Sequence, residues 1–541
     1  MKKEWSQIID EVLEPYPSKT YKKRKKHMVV KTKEDSNPVI AANIRTIPGV
    51  ITARGCCYAG CKGVVMGPIK DMVHITHGPV GCSFYTWGGR RFKSKASEGG
   101  QNFNEYVFGT DMQEQNIVFG GVGKLQKAID EAVEIFHPKA VGIYATCPVG
   151  LIGDDIQAVA SASQKKYGIP VLAFSCEGYK GVTQSAGHHI ANNTVMSDII
   201  GTGTHKHKQH SVNVLGEYNI GGDSWEIDRV LKKIGYNVVA TLTGDASYED
   251  IQNAYQADVN LVQCYRSINY IAGMMETKYG IPWIKANFIG VEATARTLRD
   301  LAKVFDEPEL YKRTEEVIAE EIGAIEADIQ YYREKLEGKT ACLYVGGLRA
   351  QTYQELLKDL GVKTILAGHE FGHRDDYEGS SVIPTIKVDA DSKNIPEITV
   401  TKDEEKYRVI LPKDRAEALK AEGVQLDGYT GLVAEMEDDT LMIDDINGHE
   451  LEKFIKELHP DMFLTGVKEK YVIEKMGVLS RQLHSYDYTG PYAGFKGAVI
   501  FARELARGVY TPAWKYLTPP WKKQPLLDGK VEEEIAAGGE R

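Results

Sequence analysis

The chain has 541 residues, a net charge of −9, 42% hydrophobic and 26% charged residues, and eight cysteines. At roughly 100 to 200 residues per domain, this length holds about three to five domains with ample core, and the acidic balance argues against a dedicated nucleic-acid binder. The first residues lack the apolar stretch of a signal peptide, and nothing approaches the ~18 apolar residues of a membrane span; the expectation is a soluble cytoplasmic protein in which thiolate ligation outranks a disulfide framework.

Taken in order, the first feature is the basic run Lys22 to Lys26, expected to be a solvated, flexible arm. Next comes Arg54 to Arg91, where glycines crowd around Cys56, Cys57, Cys61 and Cys82 and two histidines, His74 and His77, lie between. Glycine is needed where backbone turns sharply or approaches a ligand closely, and this run has no amphipathic period of its own. Soft thiolates suit an iron-sulfur cluster or zinc, and spacing does not choose between them, although a long Gly-rich loop does not match a compact zinc finger. Buried structural cysteines are the plain alternative.

From Ile117 onward a β-rich apolar run, a Gly-rich turn and a helical period repeat several times, the pattern of parallel α/β units. The apolar runs end at Cys147 (AVGIYAT), at Cys176 (VLAFS), after VNVLGEY, at Cys264 (VNLVQ), before Arg349 (ACLYVGG) and before Lys468 (DMFLTG). Ligands of open parallel sheets bind outside the carboxyl ends of the strands, where these residues fall. Helices close in KYGIP at Lys166 to Pro170 and Lys278 to Pro282, where Gly stops the helix. An amphipathic segment from Glu309 to Glu337 is expected to link two domains. The fold class is therefore α/β, with three domains of parallel sheet flanked by helices at 1–205, 206–340 and 341–541 and the site between them. Ser380 to Gly431 breaks the rhythm and is expected to be an inserted surface element, and the polar tail beyond Pro520 is expected to be disordered. The GLIGDD and NIGGD turns lack a Walker lysine and a full dinucleotide fingerprint, so no nucleotide site is expected there.

RGCxYAGxKGVVxGPIKDMVHITHGPVGC, then CPVGLIGDD, CEGYKGVxQSxGHHIAN, NLVQCYRS and LHSYDYxGP, occur in one order. From about Asn37 to about Trp521 the chain resembles the α chains of nitrogenase molybdenum-iron proteins, in particular a clostridial-type subgroup with a long insertion. The resemblance implies that Cys56, Cys82 and Cys147 bind the α half of a P cluster whose other half the β chain holds, while Cys57 and Cys61 are packing. It implies that Cys264 and His484 are the two protein ligands of the iron-molybdenum cofactor with homocitrate. Around that cofactor it implies Val64 limiting access, Arg90 and Arg349 hydrogen bonding near cluster sulfides, Gln184 and Lys468 holding homocitrate, and Gly346, Gly347 and Phe371 nearby. Cations around an anionic cluster raise its reduction potential. His188, an imidazole that titrates near neutral pH, is the expected proton or hydrogen-bond donor to the reacting face. His74, His77 and His189 are expected to be structural.

The activity so implied is reduction of dinitrogen to ammonia with hydrogen evolution, in a heterotetramer of two α and two β chains. Electrons would come from an ATP-hydrolysing iron protein and pass the P cluster to the cofactor. No nucleic-acid or membrane partner is expected. A noncatalytic scaffold for cofactor maturation shares the fold and one cofactor thiolate but generally lacks the full set Cys264, His484, Gln184, His188 and Arg349. A vanadium or iron-only enzyme is the other alternative, with GGLR at Gly346 to Arg349 and the insertion favouring the molybdenum type.

Overall fold

The computed structural model describes residues 4–44, 47, 50, 55–88, 93–96, 100–346, 349–386, 393–466 and 469–517, the side chains of residues 266, 267 and 515 excepted. Its described strands form three sheets. Sheet I has the order β3-β2-β4-β5, with β2 Met72–His77, β3 Phe108–Gly109, β4 Ala140–Ala145 and β5 Val171–Phe174. Sheet II has the order β7-β6-β8-β9, with β6 Ser211–Glu217, β7 Asn237–Thr243, β8 Val259–Val262 and β9 Trp283–Lys285. Sheet III has the order β1-β12-β11-β10-β13-β14, with β1 Met28–Lys31, β10 Thr340–Val345, β11 Lys363–His369, β12 Thr440–Asp444, β13 Met462–Thr465 and β14 Leu479–Gln482. Every pairing is parallel except that of β1 with β12.

The central strands β2, β4, β6, β8, β12 and β13 are buried along their whole length, as parallel strands covered by helices on both faces must be. β4, β12 and β13 are mainly apolar for that reason, whereas β2 and β6 also bury polar side chains, His74, Thr76 and His77 in the one and Ser211, Asn213 and Glu217 in the other. Register then aligns the carboxyl ends: Val345 opposite His369, His369 opposite Asp444, and Thr465 opposite Gln482. The segments holding Gly346, Phe371, Gly466 and His484 therefore leave sheet III from one edge.

The helix stops expected at KYGIP are present, with Gly168 and Gly280 in the left-handed conformation that ends each helix. The amphipathic segment is the single helix Pro308–Leu336, which turns Leu310, Val317, Ile318 and Ile325 inward. No helix of the described residues is long and apolar enough to cross a membrane.

Two expectations need correction. The basic run is solvated at Lys22, Lys23, Lys25 and Lys26 but is not a free arm: Arg24 is 1% exposed and makes a bidentate pair with Glu450, Nε to Oε1 and Nη2 to Oε2 both at 2.7 Å, while Nη1 donates to the Asp444 carbonyl at 2.6 Å. The helix Trp5–Leu13 packs Ile8, Ile9, Val12 and Leu13 into the core of sheet III, which β1 then extends. The amino terminus thus belongs physically with the carboxyl-terminal sheet and not with sheet I.

The second concerns Ser380 to Gly431. Its helix-like run forms the helix Lys413–Ala421, but its β-like runs form no strand among the described residues. Instead Leu426 bridges Ile284 antiparallel at the open edge of sheet II, and Leu419, Val424, Leu426 and Tyr429 are buried. The insertion covers β9 and is part of the core there. The tail beyond Pro520 lies outside the described residues.

Candidate functional site

Two groups of soft or imidazole donors form, the first more open to solvent than the second. In the first, Cys56 precedes the short helix Cys57–Gly60, Cys82 sits in the helix Val80–Gly88, and Cys147 opens the helix Cys147–Ile152 directly after β4. They converge around Gly178, where a Cβ would stand 2.9 Å from Cys147 Sγ and 3.7 Å from Cys56 Sγ. Burial, then the proximity of Cys56 and Cys147, raises the Cys82 pKa. Crowded thiols oppose each other's ionisation unless a cation compensates them, which is what a metal cluster provides. Soft thiolates of this kind suit an iron-sulfur cluster or zinc. Cys56 and Cys147 are exposed and Cys82 half-buried, amid exposed Val80, Phe84, Leu151 and Tyr179.

Cys57 and Cys61 are fully buried, as expected of packing residues, and burial raises the Cys61 thiol pKa. His74 spends its ring nitrogens on Tyr144 Oη at 2.8 Å and the Ile69 carbonyl at 3.0 Å, and burial pushes its pKa down to about 3. His77 bonds Thr110 Oγ1 and Asp154 Oδ2, both at 3.0 Å. Both are structural. Asp154, from the GLIGDD turn, also accepts the Gly121 amide at 3.0 Å, so that turn's acid pins backbone instead of facing a phosphate.

The second group lies where sheets I, II and III meet, with Cys264 buried and His484 half-buried. His484 leaves β14 and lies between the glycines that end two neighbouring strands: a Cβ at Gly346 would stand 3.4 Å from its Nε2, and one at Gly466 3.1 Å from its Nδ1. Gln184, from sheet I, reaches the same point, its Nε2 3.6 Å from a Gly346 Cβ. Cys264 caps the helix Tyr265–Tyr279 after β8, is 4% exposed, and touches Gly216 at the end of β6. Thiol and imidazole thus come from sheets II and III into a region where backbone without side chains leaves room.

Arg349 lies near both segments, beside Cys264 and bonded to Tyr486 two residues after His484. Its Nη1 donates to Tyr486 Oη at 3.2 Å; burial opposes its charge, but Tyr486, Tyr353, Cys264 and Glu217 hold its pKa well above the ordinary guanidinium value. Burial, then the neighbouring Asp223, pushes Glu217 up to about 8, leaving it mainly protonated near neutral pH. Val64, 2% exposed, lies in the π-helical turn Cys61–Met66, a local widening of the helix found often at functional sites. His188, 4% exposed, is on the helix Ser185–Thr194, which packs so tightly on Cys57–Gly60 that a Cβ at Gly187 would overlap the Cys57 carbonyl oxygen. His189 stacks on Tyr270 with ring centroids 4.6 Å apart. Phe371, just beyond β11, is buried with φ 56°. Arg90, Gly347 and Lys468 lie outside the described residues.

Sequence reasoning missed Gly178, Gly466, Asp223 and the Tyr486 hydroxyl. The first two carried a signal, a glycine within a few residues of a strand's carboxyl end; the last two carried none, because their partners are hundreds of residues away.

The family model of nitrogenase component 1 type oxidoreductases matches residues 56–510. The chain is 69% identical over 534 residues to the nitrogenase molybdenum-iron protein α chain of Clostridium pasteurianum, covering 98% of this chain and 99% of that one. It is 51% identical to the corresponding chain of Methanosarcina barkeri, covering 96% and 97%. The solved structure of nitrogenase Cp1 at pH 6.5 superposes with a TM-score of 0.92 at 70% identity, covering 95% of this chain and all (100%) of that one.

Proposed function

Since the chain belongs to the nitrogenase component 1 type oxidoreductases, among the molybdenum-iron protein α chains, we propose that it carries the catalytic site for ATP-coupled reduction of dinitrogen to ammonia with hydrogen evolution. Its partners would be a β chain, in a heterotetramer of two α and two β chains, and transiently an ATP-hydrolysing iron protein. The observation that carries this reading is the pairing of two donor sets on one chain: three thiols at an open apolar face, and the buried thiol of Cys264 with the half-buried imidazole of His484 between sheets. An apolar, exposed rim around Cys56 and Cys147 suits a surface that another chain covers. A maturation scaffold generally lacks the full set Cys264, His484, Gln184, His188 and Arg349, all of which are present here.

In this reading Cys56, Cys82 and Cys147 hold the α half of the P cluster, and Cys264 and His484 hold the iron-molybdenum cofactor. When bound, these groups supply the electron relay and the multi-electron reduction of substrate. The residues around them do the rest. Arg349 places fixed positive charge beside Cys264 and so compensates an anionic group held there. Gln184, meeting His484 at Gly346, offers an amide to the homocitrate carboxylates, and Lys468 is assigned the same task. Val64 fills space near the reacting face, and its β-branched side chain has little freedom to move aside. His188 delivers a proton or hydrogen bond to that face, Arg90 hydrogen bonds near the cluster, and Phe371, Gly346 and Gly347 shape the remaining wall. We take 1–205, 206–340 and 341–541 as the three functional units, with the amino-terminal helix and β1 docked on the third. The cytoplasm supplies the reducing conditions that cluster thiolates need.

Elemental analysis of the native complex tests the reading. Molybdenum and iron together are expected, and Cys264→Ala should remove the molybdenum while leaving P-cluster iron. Vanadium in place of molybdenum, or dinitrogen reduction by the Cys264→Ala protein at parent molybdenum content, would overturn it.

A further inference from the structure

We infer that Asp223 is the positioning residue that aims His484, acting across the boundary between sheet II and sheet III. Asp223 opens the helix Asp223–Ile234 behind β6 and is 1% exposed. Its Oδ1 accepts the backbone amides of Tyr492 at 2.7 Å and Ala493 at 3.0 Å, and its Oδ2 accepts the Tyr486 hydroxyl at 2.6 Å. That hydroxyl accepts in turn from Arg349 Nη1 at 3.2 Å. One carboxylate from sheet II therefore holds three points of the segment that begins at His484.

The segment needs holding. Tyr486, Asp487 and Tyr488 follow one another with φ of 54°, 50° and 63°. A left-handed backbone is unfavourable for an L residue, and for a bulky side chain it is an outlier. Such a conformation persists only where the surroundings over-determine it. On its own sheet the segment is pinned by Asp487, whose Oδ1 accepts Lys470 Nζ at 2.7 Å and whose Oδ2 accepts Arg481 Nη1 at 3.2 Å and the Gln482 amide at 3.3 Å. Asp223 supplies the other pin. Stacking of Tyr486 on Tyr492, centroids 4.2 Å apart, closes the loop on itself. His484, confined laterally by Gly346 and Gly466, takes its direction from a backbone that would relax toward ordinary φ values if either pin were drawn.

An amide does not reproduce this carboxylate: in Asp223→Asn the single carbonyl oxygen can stay on the two backbone amides, but the NH2 group then facing Tyr486 cannot accept its hydroxyl proton. Tyr486→Phe removes only the hydroxyl link and keeps the ring stacking.

The inference rests on His484 being a cofactor ligand, so His484→Ala is the control. The assembled complex with its β chain is used throughout, with rate of molybdenum loss into chelator, P-cluster iron content and the paramagnetic resonance of the resting cofactor as readouts. Residues behind a metal ligand typically change metal affinity about 10–100-fold. Asp223→Asn is expected to lose molybdenum about tenfold faster than the parent, with shifted resonance in the fraction still loaded and full P-cluster iron. Tyr486→Phe is expected to fall between, and it alone carries the test if Asp223→Asn does not assemble. Parent release rates and unchanged resonance in the variants, with molybdenum absent from His484→Ala, would overturn the positioning role alone. Full molybdenum in His484→Ala would overturn the ligand assignment and this inference with it.

Discussion

Gly178 and Cys147 are in contact that leaves no room for a methyl group between them: the Sγ of Cys147 lies 2.9 Å from where a Cβ on residue 178 would stand. Because the same point is 3.3 Å from Cys56 Cβ, one added carbon would press on two of the three thiols at the open face. Gly178→Ala is expected to lower P-cluster iron in the purified complex about tenfold in affinity terms while leaving molybdenum near parent content. Metal analysis by mass spectrometry reads both. Parent iron with an unchanged P-cluster spectrum would mean that the thiols do not hold their cluster on this side.

Val64 is buried on a widened helical turn, where removing two methyl groups creates space and not a new surface. Val64→Ala is expected to cost about 1–3 kcal/mol of stability and to improve reduction of longer alkynes relative to acetylene. Competition assays with alkynes of increasing length measure the second effect. An unchanged preference would assign Val64 to packing alone.

Arg24 and Glu450 are 1% and 0% exposed, so removing one partner strands a charge in the core. Breaking a buried pair typically costs about 3–5 kcal/mol, whereas replacing both partners by apolar residues can be neutral. Arg24→Met should therefore release the amino-terminal helix and β1 to protease and lower the melting temperature, and Arg24→Met with Glu450→Leu should restore much of both. Limited proteolysis with amino-terminal sequencing decides it. Equal damage in single and double variants would show that the guanidinium bond to the Asp444 carbonyl, and not the ion pair, holds the arm.

Comparison of these regions shows what a sequence can and cannot disclose. The strands ending at Cys147, Cys264 and before Gly466 were legible because a parallel strand covered on both faces must be a short apolar run, whatever its neighbours. The ligand candidates were legible through motif resemblance, and the structure brings Cys56, Cys82 and Cys147 together, and Gln184 with His484. The docking of β1 on β12 was not legible: MVVK follows a run of lysines whose local chemistry favours water, and its partner is some 400 positions away, so only the tertiary pair Arg24–Glu450 decides the outcome. Asp223 was illegible for the same reason: its partners Tyr486, Tyr492 and Ala493 lie 263 to 270 positions away.

The contact between the insertion and sheet II should depend on pH. Burial, then the neighbouring Asp427, pushes Glu276 up to about 7, and burial also raises Asp427. A carboxyl group whose folded pKa exceeds its ordinary value of about 4.5 favours folding while protonated; its contribution is full below that ordinary value and is lost as pH rises through about 7. Protease cleavage within residues 393–429 should therefore increase from pH 5 to pH 8, and Glu276→Gln should flatten the profile. A parent profile that stays flat over this range would place the ionisation elsewhere.

Tyr429, near the end of the insertion, stacks on Tyr265 with ring centroids 4.8 Å apart and planes 8° apart. Tyr265 is fully buried and follows Cys264 directly, at the start of the helix that Cys264 caps. A segment expected from its charge to be a solvated surface element thus supports the residue next to Cys264, the thiol proposed to hold the cofactor. Truncating a buried aromatic typically costs about 3–5 kcal/mol, and here the cavity would open against Tyr265 and let the first turn of its helix shift. Tyr429→Ala is expected to lower the melting temperature and to reduce molybdenum retention, with P-cluster iron unchanged. Lys402→Ala with Glu404→Ala, an exposed ion pair at 3.0 Å on the same insertion, is the matched control and should leave both metals at parent content. Full molybdenum retention in Tyr429→Ala, despite a lowered melting temperature, would show that the insertion stabilises sheet II without reaching Cys264; molybdenum loss in the control pair would show instead that the surface charge of the insertion, and not its buried ring, governs the site.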